Sequence, residues 1–224
     1  VWTQALASIP GAAEPRNVVV PDDKVRAIIA AAYEFVGTEF GLLVEVASVT
    51  GARVSQIARL EVRDLQADRG DPRLLMPSSR KGKRAAHKVE RRPVPIPPSL
   101  AARLQAAAAG RPAEGPLLLK PDGESWKKSN HGDPFATAVA AAGLDPAVVT
   151  IYALRHSSIT RQLLKSVPPR LVAALHDTSV RVIEANYSHC IADHSDTIAR
   201  GALLDLSVNG QPAATDKVVP LVRP

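Results

Sequence analysis

The chain has 224 residues, 46% of them apolar and 22% charged, which suits one or two globular domains and excludes disordered, collagen-like and coiled-coil chains. A single cysteine, Cys190, excludes an internal disulfide, and no run reaches the ~18 uncharged apolar residues of a membrane helix, so a soluble, cytoplasmic protein with no membrane partner is expected. The net charge of +6 sits in one place: between Arg80 and Arg92 seven Lys or Arg stand against one Glu, and the rest of the chain balances. A charge excess held in so short a stretch is the footprint of a surface for a phosphate backbone, the bland alternative being a solvated basic loop.

Residues 1–20 are punctuated by Pro, Gly and Ala without a period and read as a linker or arm remnant. From Pro21 the apolar spacing of Val25, Ile28, Ile29, Ala32, Phe35 and Val36 predicts an amphipathic helix, with Asp22 and Asp23 at its positive end. Phe40 to Val49 is apolar all round, predicting a buried helix stopped by Thr50-Gly51. A short helix over about Ser55 to Leu60 follows. Leu74-Leu75-Met76 and Val89 to Ile96 predict two strands around the basic segment, and Pro93, Pro95 and Pro97 confine the second to an edge. The basic residues then lie on a projecting hairpin.

Beyond it, Pro98 to Ala109 predicts a helix closed by Gly110, Leu117 to Leu119 a further strand, and Phe135 to Ala142 a helix ending at Gly143. The last third reads as helices over Tyr152 to Lys165, Pro169 to Leu175, Val180 to Ser188 and Ser195 to Leu204. The expected fold is mainly α with a small antiparallel β-sheet, an α+β domain over 21–205 followed by a tail at 206–224.

Candidate functional residues lie far apart. Arg53 leaves the end of a buried helix on a tight turn, a position suited to a fixed cation or to a structural ion pair. Tyr152 and Arg155, three apart at a helix start, share a face and can grip one phosphate, helped by the free N–H groups of the first turn. Tyr187 is either a core residue of its helix stripe or, followed by Ser188-His189 at a helix end, a hydroxyl that reaches ligand. His189 and His194 have no partners at metal-ligand spacing, so no metal site is expected.

Three segments, Thr50-Gly51-Ala52-Arg53-Val54-Ser55-Gln56-Ile57, Tyr152-Ala153-Leu154-Arg155-His156-Ser157 and Glu184-Ala185-Asn186-Tyr187-Ser188-His189, resemble the signature boxes of the tyrosine recombinases, the phage integrase family. They come in the family's order, with the basic hairpin between the first two. The resemblance spans about Pro21 to Leu204 and implies the family's catalytic-domain fold. It implies that Arg53 and Arg155 are catalytic arginines and Tyr187 the nucleophile. A hairpin lysine serves the family as general acid, which fits Lys81, with Lys83 as the alternate. The family usually has His where this chain has Tyr152, and a phenol, with a reference pKa of about 10, transfers protons poorly near neutrality. His176 corresponds to a His or Trp that lies about nine residues before the nucleophile in the family and eleven before it here. His156 reads as support for its helix.

The implied reaction breaks and rejoins DNA through a 3′-phosphotyrosine, for integration or excision of a mobile element, with no cofactor, since two guanidinium forks can stabilise the phosphoryl charge. Arg80, Lys83, Arg84 and Lys88 would hold the DNA backbone. Double-stranded DNA is the implied partner, with a homotetramer on DNA and accessory DNA-bending proteins. The alternatives are a non-enzymatic helix-turn-helix regulator, built on the helices either side of His176 to Ser179, and relaxation of one duplex in the manner of type IB topoisomerases.

Overall fold

The computed structural model describes residues 18–68, 70–79, 89–127, 129–192, 195–201 and 203, and of 189–192, 195, 197 and 198 the backbone only. Asp22–Ala31 forms α1, with Pro21 as its N-cap, and continues as a π-helical turn, Ala32–Val36. Gly37, at φ 130°, ends that turn and starts α2, Thr38–Thr50. Nearly every side chain of α2 is buried, so it runs through the centre of the domain as its unbroken apolar pattern requires. Gly51 closes it in the left-handed conformation, φ 61°, which a glycine adopts without steric cost. The third helix, α3, is shorter than expected, Val54–Ile57.

The sheet has three antiparallel strands in the order β1 (Leu65–Gln66), β2 (Arg73–Pro77), β3 (Arg91–Pro95). Leu74 pairs with Leu65 on one side and Val94 on the other. The proline-bearing strand lies at an edge, where its missing N–H groups break no ladder. Buried Asp64, in a 3₁₀ turn, anchors that edge by accepting from Arg91 Nε at 2.5 Å. The short β1 carried too little pattern to be read from sequence. Leu117 to Leu119, expected as a strand, forms none: Pro116 and Leu119 make only isolated bridges, to Glu61 and Ser125, because prolines 116 and 121 leave too few consecutive donors for a ladder.

The remaining helices are α4 (Pro98–Ala108), α5 (Gly132–Ala141), α6 (Ile151–Leu164), α7 (Pro169–Leu175), α8 (Val180–Ala192) and α9 (Ser195–Gly201). The described residues are thus mainly helical with a small antiparallel sheet, as expected. The end of α8 differs from its sequence reading. Ser188-His189 carries neither Gly nor Pro, nothing stops the helix there, and it continues to Ala192. No helix among the described residues is long and apolar enough to cross a membrane. The basic cluster from Arg80 to Lys88 lies outside the described residues, as do the arm at 1–17 and the tail from 204 onward.

Candidate active site

Arg155 is fully enclosed in the second turn of α6, 4% exposed. Two carbonyls fix its guanidinium: Nη1 donates to Gly51 at 2.8 Å and Nη2 to His176 at 2.5 Å. The first is the left-handed cap of α2 and the second the end of α7, so this side chain ties α6 both to a helix remote in sequence and to the helix that follows it. Burial and the neighbouring Arg53 push its pKa down, while Tyr152 and Tyr187 favour its charged form. A guanidinium remains charged through such shifts.

Arg53 caps α3 and is held less tightly. Its backbone N–H donates to Gln56 Oε1 at 3.1 Å, and its guanidinium lies 3.3 Å from the Asp177 carbonyl and 3.8 Å from the Asp177 carboxylate. Its side chain is 28% exposed. Arg53, Tyr152 and Arg155 share one cavity of about 470 Å³, walled on its apolar side by Val54, Phe135, Val149 and Ile151. The reading of Tyr152 and Arg155 as one face is met here: both line that cavity, with Tyr152 at its exposed rim and Arg155 at its base.

Of the two sequence readings of Tyr187, the structure meets the core one and not the helix-end one. The residue sits within α8 instead of at a helix end, is 5% exposed, and packs with Ile159, Leu163, Val172, Ala173 and Ile183. Its hydroxyl lies 2.6 Å from Nδ1 of His156, the residue next to Arg155. The His156 ring in turn meets Tyr152 edge-on at a centroid distance of 5.0 Å. Burial, with Arg155 adding to it, lowers the His156 pKa and keeps the ring neutral at pH 7.

His176 is 1% exposed, and both ring nitrogens are engaged, Nδ1 with the Val172 carbonyl at 2.9 Å and Nε2 with the Ser158 hydroxyl at 3.0 Å. Burial pushes its pKa down to about 4. Here the ring supports the turn whose carbonyl grips Arg155. It presses so closely on Gly51 that a Cβ there would stand 2.5 Å from Nε2.

Two residues that the sequence did not single out complete the arrangement. Asp177, at φ 49° in the turn after α7, accepts from the Ser79 N–H at 2.7 Å and from the Ser79 hydroxyl, and pairs with Arg92 at 3.4 Å. Buried Gln56 donates to the Pro77 carbonyl at 2.8 Å. Together they fasten the base of the basic hairpin to the Arg53 turn. No spacing in the sequence links Asp177 to Ser79, 98 positions earlier. His156 had one available signal, its i, i+4 relation to Tyr152 on the same helix face. Lys81, Arg80, Lys83, Arg84 and Lys88 lie beyond the described residues, just past Ser79.

The phage integrase family model matches residues 19–192, a span that takes in Arg53, Arg155 and Tyr187. The chain belongs to that family. Its fold is shared with the crystal structure of XerA recombinase, at 18% identity and a TM-score of 0.62 over 80% of this chain and 65% of that one. It is also shared with the Tn1549 transposon integrase in complex with circular intermediate DNA, at 15% identity and 0.66 over 86% of this chain and 69% of that one. XerH recombinase on its palindromic difH substrate, a post-cleavage complex, matches at 17% and 0.64 over 85% of this chain and 55% of that one. The chain thus spans about 65% of XerA and 55% of XerH. No curated protein matches it by sequence.

Proposed function

We propose that this phage integrase family chain is the catalytic domain of a site-specific DNA recombinase that cuts and rejoins strands through a 3′-phosphotyrosine on Tyr187. The observation that carries this reading is the convergence of Arg53, Arg155 and Tyr152 on one cavity, with the Tyr187 hydroxyl bonded to the residue beside Arg155. A scissile phosphate between the two guanidinium groups meets fixed positive charge where its nonbridging oxygens gain negative charge. The Tyr187 oxygen attacks phosphorus, the bond to the 5′ oxygen breaks, and Lys81 protonates that leaving oxygen. The new ester conserves the bond energy, so the attacking 5′ hydroxyl of a second strand restores the phosphodiester and frees the phenol without a cofactor.

In this reading Tyr152 hydrogen-bonds the phosphate, His176 holds the Arg155 turn, and Arg80, Lys83, Arg84 and Lys88 follow the DNA backbone. A tetramer on double-stranded DNA, with accessory bending proteins, would supply the two duplexes for integration or excision of a mobile element. Incubation with a nicked suicide duplex tests the core of it. The wild-type chain is expected to give a DNA adduct stable on a denaturing gel, and Tyr187→Phe to bind the duplex equally but give none. An undiminished adduct in that variant removes Tyr187 from the reaction. Strand exchange between two duplexes, as against relaxation of one, separates a recombinase from a topoisomerase.

A further inference from the structure

Attack by a tyrosine requires its proton to go somewhere, and Tyr152 and Lys81 leave that need unmet. Tyr152 is itself a phenol, and Lys81 is assigned to the opposite side of the phosphorus as proton donor. Among the described residues, the Tyr187 hydroxyl lies 2.6 Å from Nδ1 of His156, a side chain with the chemistry of a base. That ring is enclosed between α6 and α8, with 7% of the residue exposed. It is braced from the other side by the edge-on contact with Tyr152.

We infer that His156 is the general base of the cleavage step, accepting the Tyr187 proton at Nδ1 as the phenol attacks and returning it when the strand is rejoined. This rests on the assignment of Tyr187 as nucleophile and extends it to the proton. The balance closes. On cleavage the phenolic proton passes to Nδ1, the phosphorus gains the tyrosyl oxygen, and the 5′ oxygen leaves with a proton from Lys81. On ligation the 5′ hydroxyl returns its proton to the lysine amine, and the imidazolium reprotonates Tyr187.

A neutral imidazole is a much weaker base than a phenolate, and in the free protein burial, with Arg155 adding to it, depresses it further. Substrate counters the second of these. A phosphodiester anion between Arg53 and Arg155 offsets the charge that opposes the imidazolium, so the ring gains basicity when a strand is in place. Among the described residues Arg155, on the same helix, is the charged group acting on His156, and the rings facing it are Tyr152 on α6 and Tyr187 on α8. The phosphate thus raises the basicity of the ring that serves it.

The experiment follows adduct formation on the nicked suicide duplex from pH 5 to 10 for wild type, His156→Asn, His156→Ala and Tyr187→Phe. Asparagine keeps an acceptor near the Nδ1 position but takes no proton near neutrality. Wild type is expected to show a rate rising with slope one at low pH and then a plateau. His156→Asn should be slower by about 10²-fold or more, with no plateau through the neutral range and with DNA binding retained. A His156→Asn rate within threefold of wild type, on the same pH profile, overturns the assignment while Tyr187 stands. An adduct that persists in Tyr187→Phe overturns both. Nitrogen NMR of the imidazole in the free wild-type protein provides a second readout that needs no histidine variant. Nδ1 should resonate as an unprotonated, hydrogen-bonded acceptor whose shift moves in Tyr187→Phe, and a protonated Nδ1 on the neutral ring overturns the proposal.

Discussion

Among the described residues, buried apolar side chains between Val20 and Leu154 form one large cluster around α2, whereas the last third rests on a cluster of six, Ile159, Leu163, Val172, Ala173, Ile183 and Tyr187. One helix belongs to both: Ala153 and Leu154 of α6 pack into the large cluster and Ile159 and Leu163 into the small one. Between them Arg155, His156, Ser157 and Ser158 are all buried, a polar run that an apolar core would reject without partners. Each finds one, in Gly51 and His176, in Tyr187, in the Val20 N–H and in His176. The candidate site thus lies on the seam between two cores, where helix ends offer carbonyls that no helix interior has to spare.

The sharpest way to break this comparison is to remove each arginine. Arg155→Ala and Arg53→Ala should each slow adduct formation by about 10²-fold or more. Only Arg155→Ala should also lower the melting temperature clearly, since it strands two carbonyls while Arg53 is partly solvated. Equal melting temperatures would mean that Arg155 does not join the cores. Next in size is the apolar packing. Leu43→Ala should cost about 2–5 kcal/mol of global stability in denaturant melts. Ile183→Ala should show first as faster amide exchange confined to α7 and α8.

A smaller effect is pH-dependent. The His176 pKa of about 4 lies below its unfolded value of 6.5, so the unfolded chain binds the extra proton and stability falls as pH drops from about 6.5 to 4. The full swing is of order 3 kcal/mol. His176→Gln should be less stable at pH 7 but lose much of that slope, as seen in melts across the window. The smallest is Asp177→Asn, which keeps an acceptor for the Ser79 N–H but loses the ion pairs with Arg53 and Arg92. A loss of about 1 kcal/mol or less, shrinking in salt, is expected.

The helices were legible where period and stop signals agree, as in α2 with its glycine cap and α7 between Pro168 and His176. The far end of α8 was not, because it lacks a stop, and β1 was too short to carry a pattern. At the site, Arg53, Arg155 and Tyr187 stood out through the boxes that resemble those of the family. The enclosure of Tyr187 did not, because a tyrosine on an apolar stripe reads the same whether it faces a core or a ligand. The contacts of Asp177 with Ser79 and of the His156 ring with Tyr187 were illegible for a simpler reason: each meets a partner that folding alone brings near.

The carbonyl of His176 gives the Arg155 fork a second duty. Its Nη1 and Nη2 hold the ends of α2 and α7, and it also hydrogen-bonds Tyr152. A rigid plane cannot tilt at one edge and stay still at the others. In the proposed reaction, a phosphate that draws this fork also tugs on the turn that leads into α8, which carries Tyr187.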